Sequence, residues 1–191
     1  MCIMETKPKV KLSRTLLLAD KPEVINSFQG ALSASAELLV ASTTAQALNY
    51  LESTEVEVII SCPKFSTSTG IHFFEQIMSD FPDPVRILIT DKENLDYVIE
   101  AINNGRIYKY ILQPWDESQL EELVCEASKL YSLRTDLEKR VSNYNDQLLQ
   151  VELNLESLIV DIETSKELST DSKFDLLTRL RSTITLLGIP D

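Results

Sequence analysis

Glycine and histidine are scarce in this chain: four glycines and one histidine in 191 residues, beside seven prolines, one tryptophan and three cysteines. So few turn residues exclude a sandwich or barrel with many tight turns and favour long uninterrupted elements, with helix dominant. A single histidine, with no Ser–His or Cys–His pairing and no glycine-rich phosphate loop, leaves the common hydrolase and nucleotide-transfer motifs without support. Cys2, Cys62 and Cys125 are odd in number and unrelated in spacing, so neither a disulfide framework nor a zinc site is expected. No apolar run approaches the roughly 20 residues of a membrane helix, and the lysines of residues 1–11 are not followed by a signal-peptide core. A cytoplasmic address is the expectation. Basic residues are also in short supply, 18 against 30 acids, for a net charge of -12. That balance counts against nucleic acid and anionic membrane as partners, since both draw affinity from clustered Lys and Arg.

What is present is enough apolar matter, 43% of residues, to fill one ordinary core. The acid is unevenly placed: residues 1–115 carry 14 acids and 10 bases, residues 116–191 carry 16 and 8. The chain thus has two regimes. In the first, mostly apolar runs predict strands at Arg14–Ala19, Glu37–Ala41, Val56–Ser61, Val85–Thr90 and Ile107–Leu112, as in a parallel sheet covered on both faces. Helices fall between them. One starts at Pro22, where the missing N–H costs nothing, and runs to Leu32. Another starts at Thr43 with Gln46 as a capping box. A third follows Gly70 and buries Ile71, Phe74 and Ile77. A fourth, Leu95–Asn103, stops at Asn104-Gly105. The fifth opens at Asp116 with Gln119. This alternation predicts a doubly wound α/β fold with a five-stranded parallel sheet.

The fifth helix is not expected to stop. Leu120, Leu123, Ala127, Leu130, Arg134, Leu137, Val141, Tyr144, Leu148, Val151, Leu155, Leu158, Ile162 and Ser165 keep a 3,4 spacing over seven heptads, with no Gly or Pro from Asp116 to Lys166. Such a helix cannot bury its stripe in one small domain, so a homodimeric coiled coil is predicted, its seam running from Leu130 to Ile162. The competing reading is a bend at Ser142–Asp146 that folds the helix on itself. After a turn at Glu167–Ser172, a short terminal helix, Lys173–Leu187, aligns Phe174, Leu177, Leu180, Ile184 and Leu187 and ends at Gly188. It either folds back on the coiled coil or docks on a partner. The expected organisation is a tail, 1–13, an α/β domain, 14–131, a coiled-coil helix, 120–166, and a turn with terminal helix, 167–191.

In this fold the site lies at the carboxyl ends of the strands. There stand Asp20, Cys62, Thr90 and Gln113-Pro114. With the segments Leu16 to Pro22, Val58 to Cys62, Val85 to Thr90 and Tyr108 to Asp116, the chain over about 14–131 resembles the receiver domain of two-component response regulators. The resemblance implies a phosphoacceptor aspartate after the third strand, an acid pair holding Mg²⁺ after the first, a hydroxyl after the fourth and a lysine after the fifth, before a proline whose peptide bond is commonly cis. The carboxylate is the nucleophile; metal and lysine neutralise charge in the in-line transfer. Carried over, the acid pair becomes Ala19 and Asp20, the acceptor Cys62, the hydroxyl Thr90 and the lysine Gln113, with Pro114 kept. Three of the five positions lose their chemistry. A thiol forms no acyl phosphate, and one acid is a poor cage for Mg²⁺. Losing the lysine together with the aspartate avoids a lone buried ammonium.

The expectation is therefore a degenerate receiver that is not an enzyme, needs no metal or cofactor, and works by contact. Cys62 reads as a small buried hydrophobe in preference to a redox or acylation sensor, because no base or cation flanks it in the motif. Asp20 reads as a helix cap or a solvated remnant before a weak metal ligand, Thr90 as a holder of the loop that follows it, and His72 as a helix-surface residue. Tyr110 occupies the aromatic position that changes rotamer in active receivers. Trp115 is expected to pack under the fifth helix, and with Tyr110 to mark an interaction face. The function that follows is a phosphorylation-independent signalling adaptor, dimeric through the coiled coil and bound to a protein partner. Two alternatives stay open: a regulator acting on RNA, disfavoured by a tail from residue 166 with four bases against four acids, and a ligand or redox sensor at the empty pocket.

Overall fold

The computed structural model describes residues 12–65, 68–91, 95–103 and 107–186. The chain divides into two units, Met1–Thr135 and Asp136–Asp191, against an expected boundary at 131. In the first unit β1 (Ser13–Leu18), β2 (Ala36–Ala41), β3 (Val58–Ser61), β6 (Val85–Thr90) and β7 (Lys109–Leu112) form one parallel sheet of order β2-β1-β3-β6-β7. Reversal of strand order between β1 and β3 makes a crevice at their carboxyl ends, the switch point of a doubly wound sheet. Helices α1 (Pro22–Leu32), α2 (Thr44–Ser53), α3 (Gly70–Ile77), α4 (Leu95–Asn103) and the start of α5 (Glu117–Thr164) cover the two faces.

Alternation along the strands separates two cores. Leu17, Val58, Ile60, Ile87 and Ile89 pack with Phe28 of α1 and with Leu120, Val124, Ala127 and Tyr131 of α5. Leu16, Leu18, Ile59 and Leu88 pack on the other side with Phe73, Phe74 and Ile77 of α3 and Val98 of α4. Phe28, Phe65, Phe73 and Phe74 are fully enclosed. Each contributes about 1.5–3 kcal/mol relative to exposure.

The predicted strands and helices of this unit are found with ends moved by at most two residues, and Ile71, Phe74 and Ile77 are buried as expected. Capping is half as predicted. Thr43 accepts from the Gln46 N–H, but the Gln46 amide oxygen accepts from Ser42 instead of Thr43. Asp116 accepts from the Ser118 N–H and hydroxyl at the start of α5. The stop at Asn104-Gly105 lies outside the described residues. A two-stranded hairpin, β4 (Lys64–Phe65) with β5 (Ser68–Thr69), was not foreseen; it follows β3 and leads directly into α3.

Polar residues tie α5 to the opposite, N-terminal ends of the strands. The Ser128 hydroxyl donates to Glu57, which is only 4% exposed, and the Tyr131 hydroxyl donates to Glu55 at 3.2 Å. Burial, with the Glu55 carboxylate, pushes the Tyr131 phenol up to about 12. Burial, and then the charge of Arg134, lowers the Arg86 pKa.

In the second unit α5 runs without a break through 142–146, so it does not bend back there. Helix α6 (Thr170–Leu186) begins three residues before its predicted start, with Ser169 accepting from the Ser172 N–H. Lys173 donates to the Glu163 carbonyl at 3.0 Å and Arg181 reaches the Glu163 carboxylate at 4.0 Å, so α6 is fastened to α5.

Candidate functional site

The crevice at the carboxyl ends of the strands is a cavity of about 460 Å³ lined by Asp20, Lys21, Cys62, Lys64, Thr69, Thr90, Asp91 and Gln113, with an apolar floor including Ile71 and Leu88. Thus four of the expected site residues, Asp20, Cys62, Thr90 and Gln113, converge. Ala19 is fully buried in the core below them, and Pro114 lies to one side in an adjoining open cleft with Lys21, Glu23, Ser27 and Trp115. The Gln113–Pro114 peptide bond is cis, as the resemblance implies.

Each position has a local cause. Cys62 follows β3, and its N–H donates to Leu18 at 2.9 Å, extending the β1 pairing by one residue. The side chain is 6% exposed. Burial, then the neighbouring Asp20 carboxylate, pushes the thiol up to about 11, against a smaller lowering by Lys21. A cation therefore does act on Cys62, contrary to the sequence reading, but burial and Asp20 outweigh it. The site lysines 21 and 64 were overlooked although both flank motif residues. Thr90, also buried, donates to the Asp91 carbonyl at 3.3 Å. Asp20 is not at the N-cap position of α1, which Lys21 occupies without a side-chain cap hydrogen bond.

The thiol gives a direct test. At pH 8 the thiolate fraction of Cys62 is far below that of an ordinary cysteine, so iodoacetamide alkylates exposed Cys125 first and Cys62 only after unfolding. The raised pKa has a sign for stability too. Protonated Cys62 is compatible with burial, so its contribution is intact below pH 9 and is lost as pH rises towards 11. Equal alkylation of both thiols in the native protein would contradict this.

Tyr110 and Trp115 are split between the two cores. Tyr110 packs with the α3 and α4 side, whereas Trp115 packs on the α1 side. The indole stands edge-on to Phe28 at 5.2 Å and donates to Ser27 at 3.1 Å, so α1 supplies its ring contact and hydrogen bond, while the cluster it packs on also holds Leu120, Val124 and Ala127 of α5. Both rings nonetheless line one groove of about 540 Å³ beside β7 and the first turns of α5. Leu130, the first predicted seam residue, packs on the core of the first unit. Leu137, Val141, Tyr144, Leu148, Val151 and Leu158 are exposed, while Leu155 and Ile162 are half-buried.

The response regulator receiver domain family matches residues 16–125, more than half of the chain. The chain belongs to that family. This receiver is 32% identical over 102 residues to the hydrogenase transcriptional regulatory protein HoxA of Bradyrhizobium diazoefficiens, a match covering 53% of this chain and 21% of that one. It is 28% identical over 137 residues to the protein of the same name from Cupriavidus necator, covering 69% and 28%. The chain therefore spans less than a third of the length of these relatives. Among solved structures, the signal receiver domain of an HD domain-containing protein from Pseudomonas fluorescens Pf-5 superposes with a TM-score of 0.61 at 27% identity, over 70% of this chain and 98% of that one. Membership gives the receiver a signalling, regulatory role. Among the described residues no helix is long and apolar enough to cross a membrane.

Proposed function

We propose that this receiver is a phosphorylation-independent signalling adaptor, a degenerate receiver that dimerises through α5 and binds a protein partner. The observation that carries the reading is the chemistry of the crevice. Where the resemblance calls for a nucleophilic carboxylate and a charged lysine, a protonated, nearly enclosed thiol faces a neutral amide. A phosphoryl group arriving there meets no carboxylate after β3 and no cation after β7. Among the described residues no cluster of three His, Cys, Asp or Glu side chains is arranged to hold a metal ion. The reading assigns no catalytic group and needs no cofactor; a thiol this hard to ionise also weakens the redox alternative.

Dimerisation is supported by the exposed apolar stripe from Leu137 to Val151, too long a row of large side chains for an unpartnered helix in water. A protein surface, not nucleic acid or membrane, suits the net charge of -12, and the groove bearing Tyr110 and Trp115 is the first place to look for it. A cytoplasmic setting goes with this role.

Incubation with acetyl phosphate and Mg²⁺ is expected to leave the intact mass of the protein unchanged, with a catalytically complete receiver labelled in parallel. A phosphorylated species in the mass spectrum overturns the proposal.

A further inference from the structure

The apolar stripe of α5 has three different coverings. From Leu120 to Tyr131 the receiver's own core covers it. From Leu137 to Val151 it is open. Beyond that, Leu155, Ile159 and Ile162 are half-buried, while Leu158, at the edge of the same stripe, is 49% exposed. The element joined to this end of α5, at Glu163, is α6. Its own half-buried residues, Lys173, Leu177, Leu180 and Ile184, recur at spacings of four, three and four, one face of a helix. Lys173 and Arg181 of that helix converge on Glu163.

The open part, Leu137 to Val151, amounts to two heptads, whereas a self-sufficient coiled coil takes about three to four. The missing length is the segment that α6 occupies. We infer that α6 competes with a second copy of the chain for the C-terminal end of the seam, holding the dimer short while it is seated and lengthening it when displaced. This rests on the dimer reading above. The seat is easily vacated. Both polar links to Glu163 are exposed, and such pairs contribute little to stability. The apolar residues on the half-buried face of α6 are Leu177, Leu180 and Ile184, and a second copy would offer equivalent apolar cover to Leu155, Leu158 and Ile162 at once.

Sedimentation equilibrium over a concentration series tests this on the full chain and two full-length variants. Leu177→Asp with Leu180→Asp removes the apolar grip; Lys173→Glu with Arg181→Glu repels Glu163. Both are expected to dimerise about tenfold more tightly than the parent, or better. Far-UV circular dichroism confirms the helices of each variant, and one folded variant is enough to decide. If the parent is dimeric and the variants dimerise equally or more weakly, competition is overturned and the dimer stands. If all three are monomeric, the dimer reading itself falls and takes the competition with it.

Discussion

Gly70→Ala is expected to destabilise the receiver by about 2–3 kcal/mol, a fall in Tm of roughly 10 °C. A Cβ at this position would lie 2.7 Å from the Cys62 carbonyl oxygen, 2.7 Å from the Ser61 hydroxyl and 2.7 Å from a methyl of Leu88. The Ser61 hydroxyl could turn aside, but the carbonyl belongs to the backbone just after β3, and moving it disturbs the strand end that holds Cys62. Leu88 has little room either, being buried between the sheet and α3. Gly30 is a ready control. It lies on α1 with nothing within 4 Å of a added Cβ, so Gly30→Ala should be neutral or slightly stabilising through helix propensity. Equal melting temperatures for the two variants, by differential scanning calorimetry, would show that the close approach at Gly70 is tolerated.

Val141→Asp with Leu148→Asp is expected to abolish the proposed dimer, weakening association by at least about a hundredfold, because each change would set a carboxylate into the proposed apolar seam. These side chains are 58% and 50% exposed in the single chain. The receiver's own fold gains nothing from them, so its Tm at low protein concentration should not move. The pairing of outcomes matters more than either alone. Loss of association with an unchanged monomer Tm locates the interface on α5, whereas dimers that persist would remove α5 from it.

The sheet was legible because its signals are local. Val58-Ile59-Ile60 and Ile87-Leu88-Ile89 are apolar on both faces, and Pro22 and Thr43 mark helix starts whatever surrounds them. The β4–β5 hairpin was not, since two residues per strand leave no period to read. Convergence of Asp20, Cys62, Thr90 and Gln113 followed from strand order once the parallel sheet was recognised. The partner of Trp115 did not, because Ser27 and Phe28 lie nearly ninety residues earlier and no pattern in the segment around Pro114 points to α1. Burial of Glu57 was equally hidden, for its hydrogen bond comes from Ser128 on another element. The stripe on α5 shows a different limit. Its 3,4 spacing is uninterrupted in sequence, yet the receiver core, solvent and α6 each meet a separate stretch of it. Periodicity reveals that a face is apolar and is silent about what covers it.

Trp115 is the only tryptophan in the chain. Locked edge-on against Phe28 and hydrogen-bonded to Ser27, it gives the first unit a private fluorophore, while the only aromatic residues of 136–191 are Tyr144 and Phe174. Excitation at the red edge of the absorption band therefore reports on the α1 side of the sheet without a background from the long helix. Melting of the first unit can therefore be followed selectively in an unlabelled sample of the whole chain.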